Sequence, residues 1–182
     1  IQMYFHDIDD ISNLFQANLQ TVNPLSSETI SFQIIPEQIF RMKEGAFPAI
    51  VASIKGKELA LLHIKYGDRL FERNIRLFKG VRKGSINAGI IETVKDAARE
   101  EKFWYFNNGV SFVCSDFVID DEKNPRSLTV IGPQIINGCQ TTVCLSEALN
   151  QIDEHKFPDN IALLARFIKA PINDVELITL YT

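Results

Sequence analysis

The chain has 182 residues, 46% hydrophobic and 23% charged, with 9 Gly and 7 Pro. That composition excludes a disordered tail, a collagen-like chain and a low-complexity linker, and the length suits one domain with a core that needs no staples. The net charge of −4 excludes a surface that is basic throughout, and residues 161–168, the longest apolar run near the end, are broken by Arg166 and too short to span a membrane.

Taken in order, residues 7–19 read as a short helix capped by Asp9 or Asp10. The cluster His6, Asp7, Asp9 and Asp10 fits no zinc or EF-hand spacing, so capping acids are the better reading. Residues 31–35 alternate as a strand that stops at Pro36, and 37–43 read as one or two helical turns. Residues 49–54 form a buried strand. Residues 57–66 put Leu59, Leu62 and Tyr66 on one helical stripe ending at Gly67. Six cations follow between Arg69 and Lys83, against Glu72 alone. This local +5 leaves −9 for the rest of the chain. Such a segment on an acidic body can meet phosphate or simply be solvated.

Residues 87–101 then read as an amphipathic helix with Ile90, Ile91, Val94, Ala97 and Ala98 on its apolar side, capped by Ser85 or Asn87. Phe103-Trp104-Tyr105-Phe106 precede Asn107-Asn108-Gly109 and a β-rich stretch to 119. Asn-Gly between β-formers predicts a hairpin turn. Short strands over 128–131 and 134–136 flank Gly132-Pro133. Asn137-Gly138 leads into a helix over 139–149. A strand over 161–169 and a final helix from 172 complete the chain. The fold class is therefore mixed α and β (α+β), with short strands interleaved with amphipathic helices and at least one strand–helix–strand unit.

Cys114, Cys139 and Cys144 are too few and too scattered for a disulfide framework, and their odd number suits a reducing cytoplasm. No signal peptide is expected. The chain starts at Ile1 and stops within an apolar, helix-like run, which reads as a fragment. Walker A, GxGxxG, His-Glu-x-x-His and paired CxxC patterns are absent. The histidines His6, His63 and His155 lie far apart, and His63 reads as a packed or surface residue.

Two constellations carry chemistry. Gln134 to Thr142 read as a strand ending in a tight Asn137-Gly138 turn and an immediate helix start. Free N–H groups there, with the helix dipole behind them, attract an anion. The bland alternative is a strand–helix corner capped by Asn137 or Thr141. Asn107-Asn108-Gly109 is either a plain turn or a pair of amides buried beneath the aromatic run, as structural ties or ligand contacts. A helix start also lowers a thiol pKa, which bears on Cys139.

Three blocks together carry a resemblance: Leu70-Phe71-Glu72-Arg73-Asn74-Ile75-Arg76 with Asn87, then Phe103 through Val110, then Ile135-Ile136-Asn137-Gly138-Cys139-Gln140-Thr141-Thr142. They resemble the AIPR family, the abortive infection phage resistance proteins of bacteria and archaea. The likeness is firm from about Ala49 onward, dividing the chain into an N-terminal segment (1–48) and an AIPR-like domain (49–182) truncated at its C-terminus. It implies a part in antiviral defence, without defining a reaction or cofactor. Cys139 stands where the family often has a small or polar residue. A looser likeness is to the ParB/sulfiredoxin-type core, which binds nucleotides or DNA at a turn before a helix; Thr141 stands where that core usually places Arg.

The leading expectation is a domain that binds nucleic acid or a nucleotide. Its ligand-binding residues would be Arg73, Asn74, Arg76, Asn107, Asn108, Gly109, Asn137, Gly138, Gln140, Thr141 and Thr142, with Lys79 as a further cation. Arg suits bidentate phosphate contact. One alternative is a sensing or scaffold module that meets a phage component, with the effector activity elsewhere. Another is a metal-dependent nuclease or nucleotide hydrolase using acids such as Glu72, Asp116 and Asp120, although their spacing defines no metal site. No membrane partner is expected.

Overall fold

A computed structural model describes residues 25–42, 45–72, 86–96, 99–122, 126–152 and 154–181. Within them the strands are β1 (Thr29–Met42), β2 (Ala49–Lys55), β3 (Val110–Cys114), β4 (Asp116–Asp120), β5 (Ser127–Ile131), β6 (Gln134–Asn137) and β7 (Ala162–Lys169). The α-helices are α1 (Gly56–Tyr66), α2 (Ile86–Lys95), α3 (Phe103–Phe106), α4 (Cys139–Gln151) and α5 (Val175–Tyr181). The class is mixed α and β. Strand β1 lies before position 49, while its neighbours β2 and β5 lie after it.

The strands form one sheet in the order β4-β5-β1-β2-β7-β3-β6. Its pairs are antiparallel except β3 with β7. One offset runs from Phe112↔Ile135 and Val113↔Gln134 through Asp116↔Ile131 to Asp120↔Ser127. Strands β3–β4 and β5–β6 are thus the two arms of one long hairpin, bent where Ser115 faces Gly132-Pro133. The far half of the hairpin pairs with β1 and the near half with β7, so the sheet curls on itself. The ring centroids of Phe32 (β1) and Phe112 (β3) lie 5.5 Å apart, with β2 and β7 between their strands. Three strand steps in a flat sheet would separate them by about 14 Å. Phe167 completes the cluster, stacked on Phe112 at 4.8 Å.

Helix α1 follows β2, α4 follows β6, and the two pack antiparallel. Lys57 Nζ donates to Glu154 O (2.9 Å) at one end of this seam. His63 Nδ1 and Ser146 Oγ share a 2.6 Å hydrogen bond along it. Asp68 lies close enough to act on Cys139 at the other end. From Thr141 to Ser146 every residue of α4 is buried, so this helix is the centre of the helical layer.

The structure corrects four expectations. Residues 37–42 continue β1 instead of forming helical turns, because β2 supplies a partner. Between Ile34↔Ile54 and Ile39↔Ala52 the register shifts, and Glu37 takes φ 63° as the bulge absorbs the extra residues. Pro36 has no N–H for the ladder, so it interrupts pairing without ending the strand. The aromatic run is a helical turn, α3, not a strand. Asn107-Asn108-Gly109 is therefore not a hairpin turn; it leads from α3 into β3, whose partners are β7 and β6. The expected strand over 110–119 breaks at Ser115 into β3 and β4, which belong to different parts of the curled sheet. The helix expected over 87–101 runs from Ile86 to Lys95, followed by a 3-10 turn at Glu100–Lys102. The segment 7–19 with His6, Asp7, Asp9 and Asp10 lies outside the described residues.

Candidate functional site

The two Asn-Gly corners meet. Strand β6 ends at Asn137, Gly138 adopts φ 94° and ψ 17°, and α4 starts at Cys139. A Cβ on Gly138 would stand 2.5 Å from Val110 Cγ1 and 2.9 Å from the Gly109 carbonyl oxygen. Gly109 itself has φ 77°, and a Cβ there would stand 2.2 Å from the Leu164 carbonyl oxygen of β7. Both positions need left-handed backbone and a bare Cα, which glycine alone supplies without strain.

Asn107 ties the corners together. Its Oδ1 accepts from Gly109 N (2.8 Å), and its Nδ2 donates to Thr141 Oγ1 (3.0 Å) in the first turn of α4. Thr142 donates both its backbone N–H and its Oγ1 to Gly138 O, each at 2.9 Å. Gly138 has no side chain with which to cap the helix, so this N-cap presents no acceptor to the first-turn N–H groups. Asn108 is exposed, Asn107, Asn137, Gly138 and Gln140 are half-buried, and Gly109, Thr141 and Thr142 are buried. Of the sequence-derived site, Asn107, Gly109, Gly138, Thr141 and Thr142 are in one bonded cluster, with Asn108, Asn137 and Gln140 adjoining it in the chain.

The cationic segment begins near the same strand. Gln134 Nε2, on β6, donates to the Arg69 carbonyl (2.9 Å) in the 3-10 turn Gly67–Phe71. Gln134 is 5% exposed, and its Oε1 meets no donor. Arg73, Asn74, Arg76, Lys79, Arg82 and Lys83 lie outside the described residues.

The thiols are not activated. The helix start does not lower the Cys139 pKa; burial, then the nearby Asp68 carboxylate, push it up to about 11. Burial also raises Cys114 and Cys144 to about 12 each. Of the acids considered for metal chemistry, Asp116 pairs with Lys169 at 2.9 Å, a hydrogen bond that holds its carboxyl below the usual range. Among the described residues no three of His, Cys, Asp and Glu gather closely enough to hold a metal ion. His63 is half-buried, bonded to Ser146 and packed against Phe71, and burial lowers its pKa.

A family model described as AIPR protein matches residues 71–182, more than half of the chain and both Asn-Gly corners. The chain belongs to the AIPR family. Membership places it among abortive-infection, anti-phage defence proteins. No curated protein and no solved structure matches it. Among the described residues no helix is long and apolar enough to cross a membrane.

The sequence reading missed two neighbours of the corner. The Leu164 carbonyl, which forces a glycine at 109, comes from a strand more than 50 residues downstream and leaves no local signal. Trp104, Tyr105 and Phe106 remain exposed on α3, at 42%, 77% and 68%. Four consecutive aromatics fit no single strand face, and that conflict was the available signal.

Proposed function

We propose that this AIPR region is the nucleic-acid- or nucleotide-binding domain of the defence protein. Phosphate would be held by the first-turn N–H groups of α4 with Arg73 and Arg76. Asn108, Asn137 and Gln140 would form the polar rim that meets base or sugar. The supporting observation is the junction of the two Asn-Gly corners at a helix start whose N-cap, Gly138, makes no side-chain capping bond. A helix of 13 residues focuses partial positive charge at that end.

Titration of the full chain with labelled single-stranded DNA, duplex DNA, RNA and nucleoside triphosphates, at several salt concentrations, tests this function. The expected result is saturable binding at low salt. Arg76→Ala should weaken binding and flatten the salt dependence by about one phosphate contact, and Gln140→Ala should weaken binding with little change in slope. No saturable binding at low salt, or identical isotherms for wild type and both variants, would refute it.

A second reading, a sensing or scaffold module, is favoured by one observation. Both amide atoms of Asn107 and both threonine hydroxyls are engaged within the corner. Under it, the AIPR protein keeps its defence phenotype with Arg76→Ala and loses it only with substitutions that unfold the corner.

A further inference from the structure

The outer face of β1, β2 and β7 carries a groove whose chemistry is opposite to that of the helix start. It consists of two adjoining cavities of about 620 and about 580 Å³ that share Ile35, Glu101, Asn160 and Ala162. Val51, Ala162 and Leu164 are apolar lining from the two central strands, and Phe40, 59% exposed, contributes from β1. Trp104 and Tyr105 line it from α3. Their rings stand 5.4 Å apart at 75°, and Trp104 Nε1 donates to Ser53 Oγ (3.2 Å), which fixes the indole. Three lining carboxylates, Glu37, Glu101 and Asp159, make no ion pair with a described residue. Lys55 is the one lining cation among the described residues, and Arg166 follows Leu164 on the same face of β7.

We infer that this groove binds an extended segment of a partner protein in which Lys or Arg alternates with apolar residues. An extended chain presents alternate side chains to opposite sides. Its apolar side chains fit against Val51 and Leu164, while its cations meet the carboxylates and the perpendicular rings of Trp104 and Tyr105. Two aromatic rings at a right angle with carboxylates close by favour a cation. The same three carboxylates repel a phosphate chain, so nucleic acid is disfavoured here, although Leu164 and α3 border both this groove and the Asn-Gly corner.

Trp104 is the single tryptophan of the chain, so its emission reports on this groove. The full chain is titrated with a tryptophan-free pool of capped octapeptides in which Lys or Arg alternates with Val or Leu. Comparison titrations use the same pool with Glu replacing the cations and a 12-nucleotide oligothymidylate. The expected result is a saturable change in Trp104 emission with the basic pool only. Tyr105→Ala, at a position 77% exposed and so tolerant of truncation, should weaken it by about three-fold. Glu101→Gln should weaken it by about two- to three-fold, and less at high salt. Gln140→Ala should leave it unchanged, which separates this site from the helix start. A flat response to the basic pool, an equal response to the acidic pool, or saturation by the oligonucleotide instead would overturn the inference.

Discussion

Gly109 and Gly138 hold left-handed backbone within contact of one another's segments, and each faces an atom that cannot move aside without disturbing a strand. Alanine at either position combines strained φ with a clash, so each substitution should cost about 1–3 kcal/mol or more. Asn107→Ala removes the bond to Gly109 N and the bond to Thr141 Oγ1, and should cost about 1–2 kcal/mol. Asn108 is exposed and has no such partners among the described residues, so Asn108→Ala should lie within about 0.5 kcal/mol of wild type. Urea unfolding of the four variants checks this ranking. If Asn108→Ala proved as costly as Gly138→Ala, the geometry of the corner would be wrong. The cysteines illustrate a second lesson at this scale: a helix start favours a thiolate only where the sulfur is solvated, and burial overrides the dipole at Cys139.

At the scale of elements, the α1–α4 seam sets a pH dependence. Ser146 Oγ donates to Val143 O (2.8 Å), so His63 Nδ1 donates to Ser146 and the neutral imidazole fits the seam. Burial, only partly offset by Asp68, lowers the His63 pKa from 6.5. The folded state therefore binds this proton less readily than the unfolded state does. The His63 contribution is complete above pH 6.5, and it is lost as pH falls from there through the lowered folded value. Glu58 has the opposite sign. Burial raises its pKa from 4.5, so its contribution is complete below 4.5 and fades as pH rises through the folded value. Urea midpoints measured between pH 5 and pH 8 should rise with pH in wild type as it approaches 6.5 from below, and level off above it. The rise should be smaller in His63→Gln, which keeps the Glu58 component; equal slopes would remove His63 from this role.

Part of this arrangement of elements is legible in the sequence. Helices α1 and α4 and strands β2 and β7 were legible because their apolar period is set by the face each buries in the core. Gly67 and Gly138 marked boundaries by local chemistry. Residues 37–42 and Asn107–Gly109 depart from their local signals because their conformation is decided by remote partners. Strand β2 draws 37–42 into the sheet past Pro36, and β7 accepts β3 directly, so the Asn-Gly signal serves a helix-to-strand turn. The meeting of the two Asn-Gly corners was legible only as a suspicion. The bond from Asn107 to Thr141 spans 34 residues and follows from the pairing of β3 with β6.

At the scale of the whole molecule, the bent hairpin closes the sheet around Phe32, Phe112 and Phe167 and sets β6 and α4 at one margin of it. Charge is divided accordingly. Acidic groups line the outer groove, and the chain passes into its cationic segment from Arg69, beside Gln134 of β6. Under the proposed function, the start of α4 receives phosphate. The most direct measurement is the ¹H–¹⁵N spectrum of the full chain during titration with a 12-nucleotide single-stranded DNA and, separately, with a nucleoside triphosphate. Binding at this corner predicts saturable shifts in the amide signals of Gly138, Cys139 and Gln140 with one of these ligands, reached only at higher ligand concentration in Arg76→Ala. Shifts confined to other elements, or unchanged signals for those three amides at saturating ligand, would contradict it.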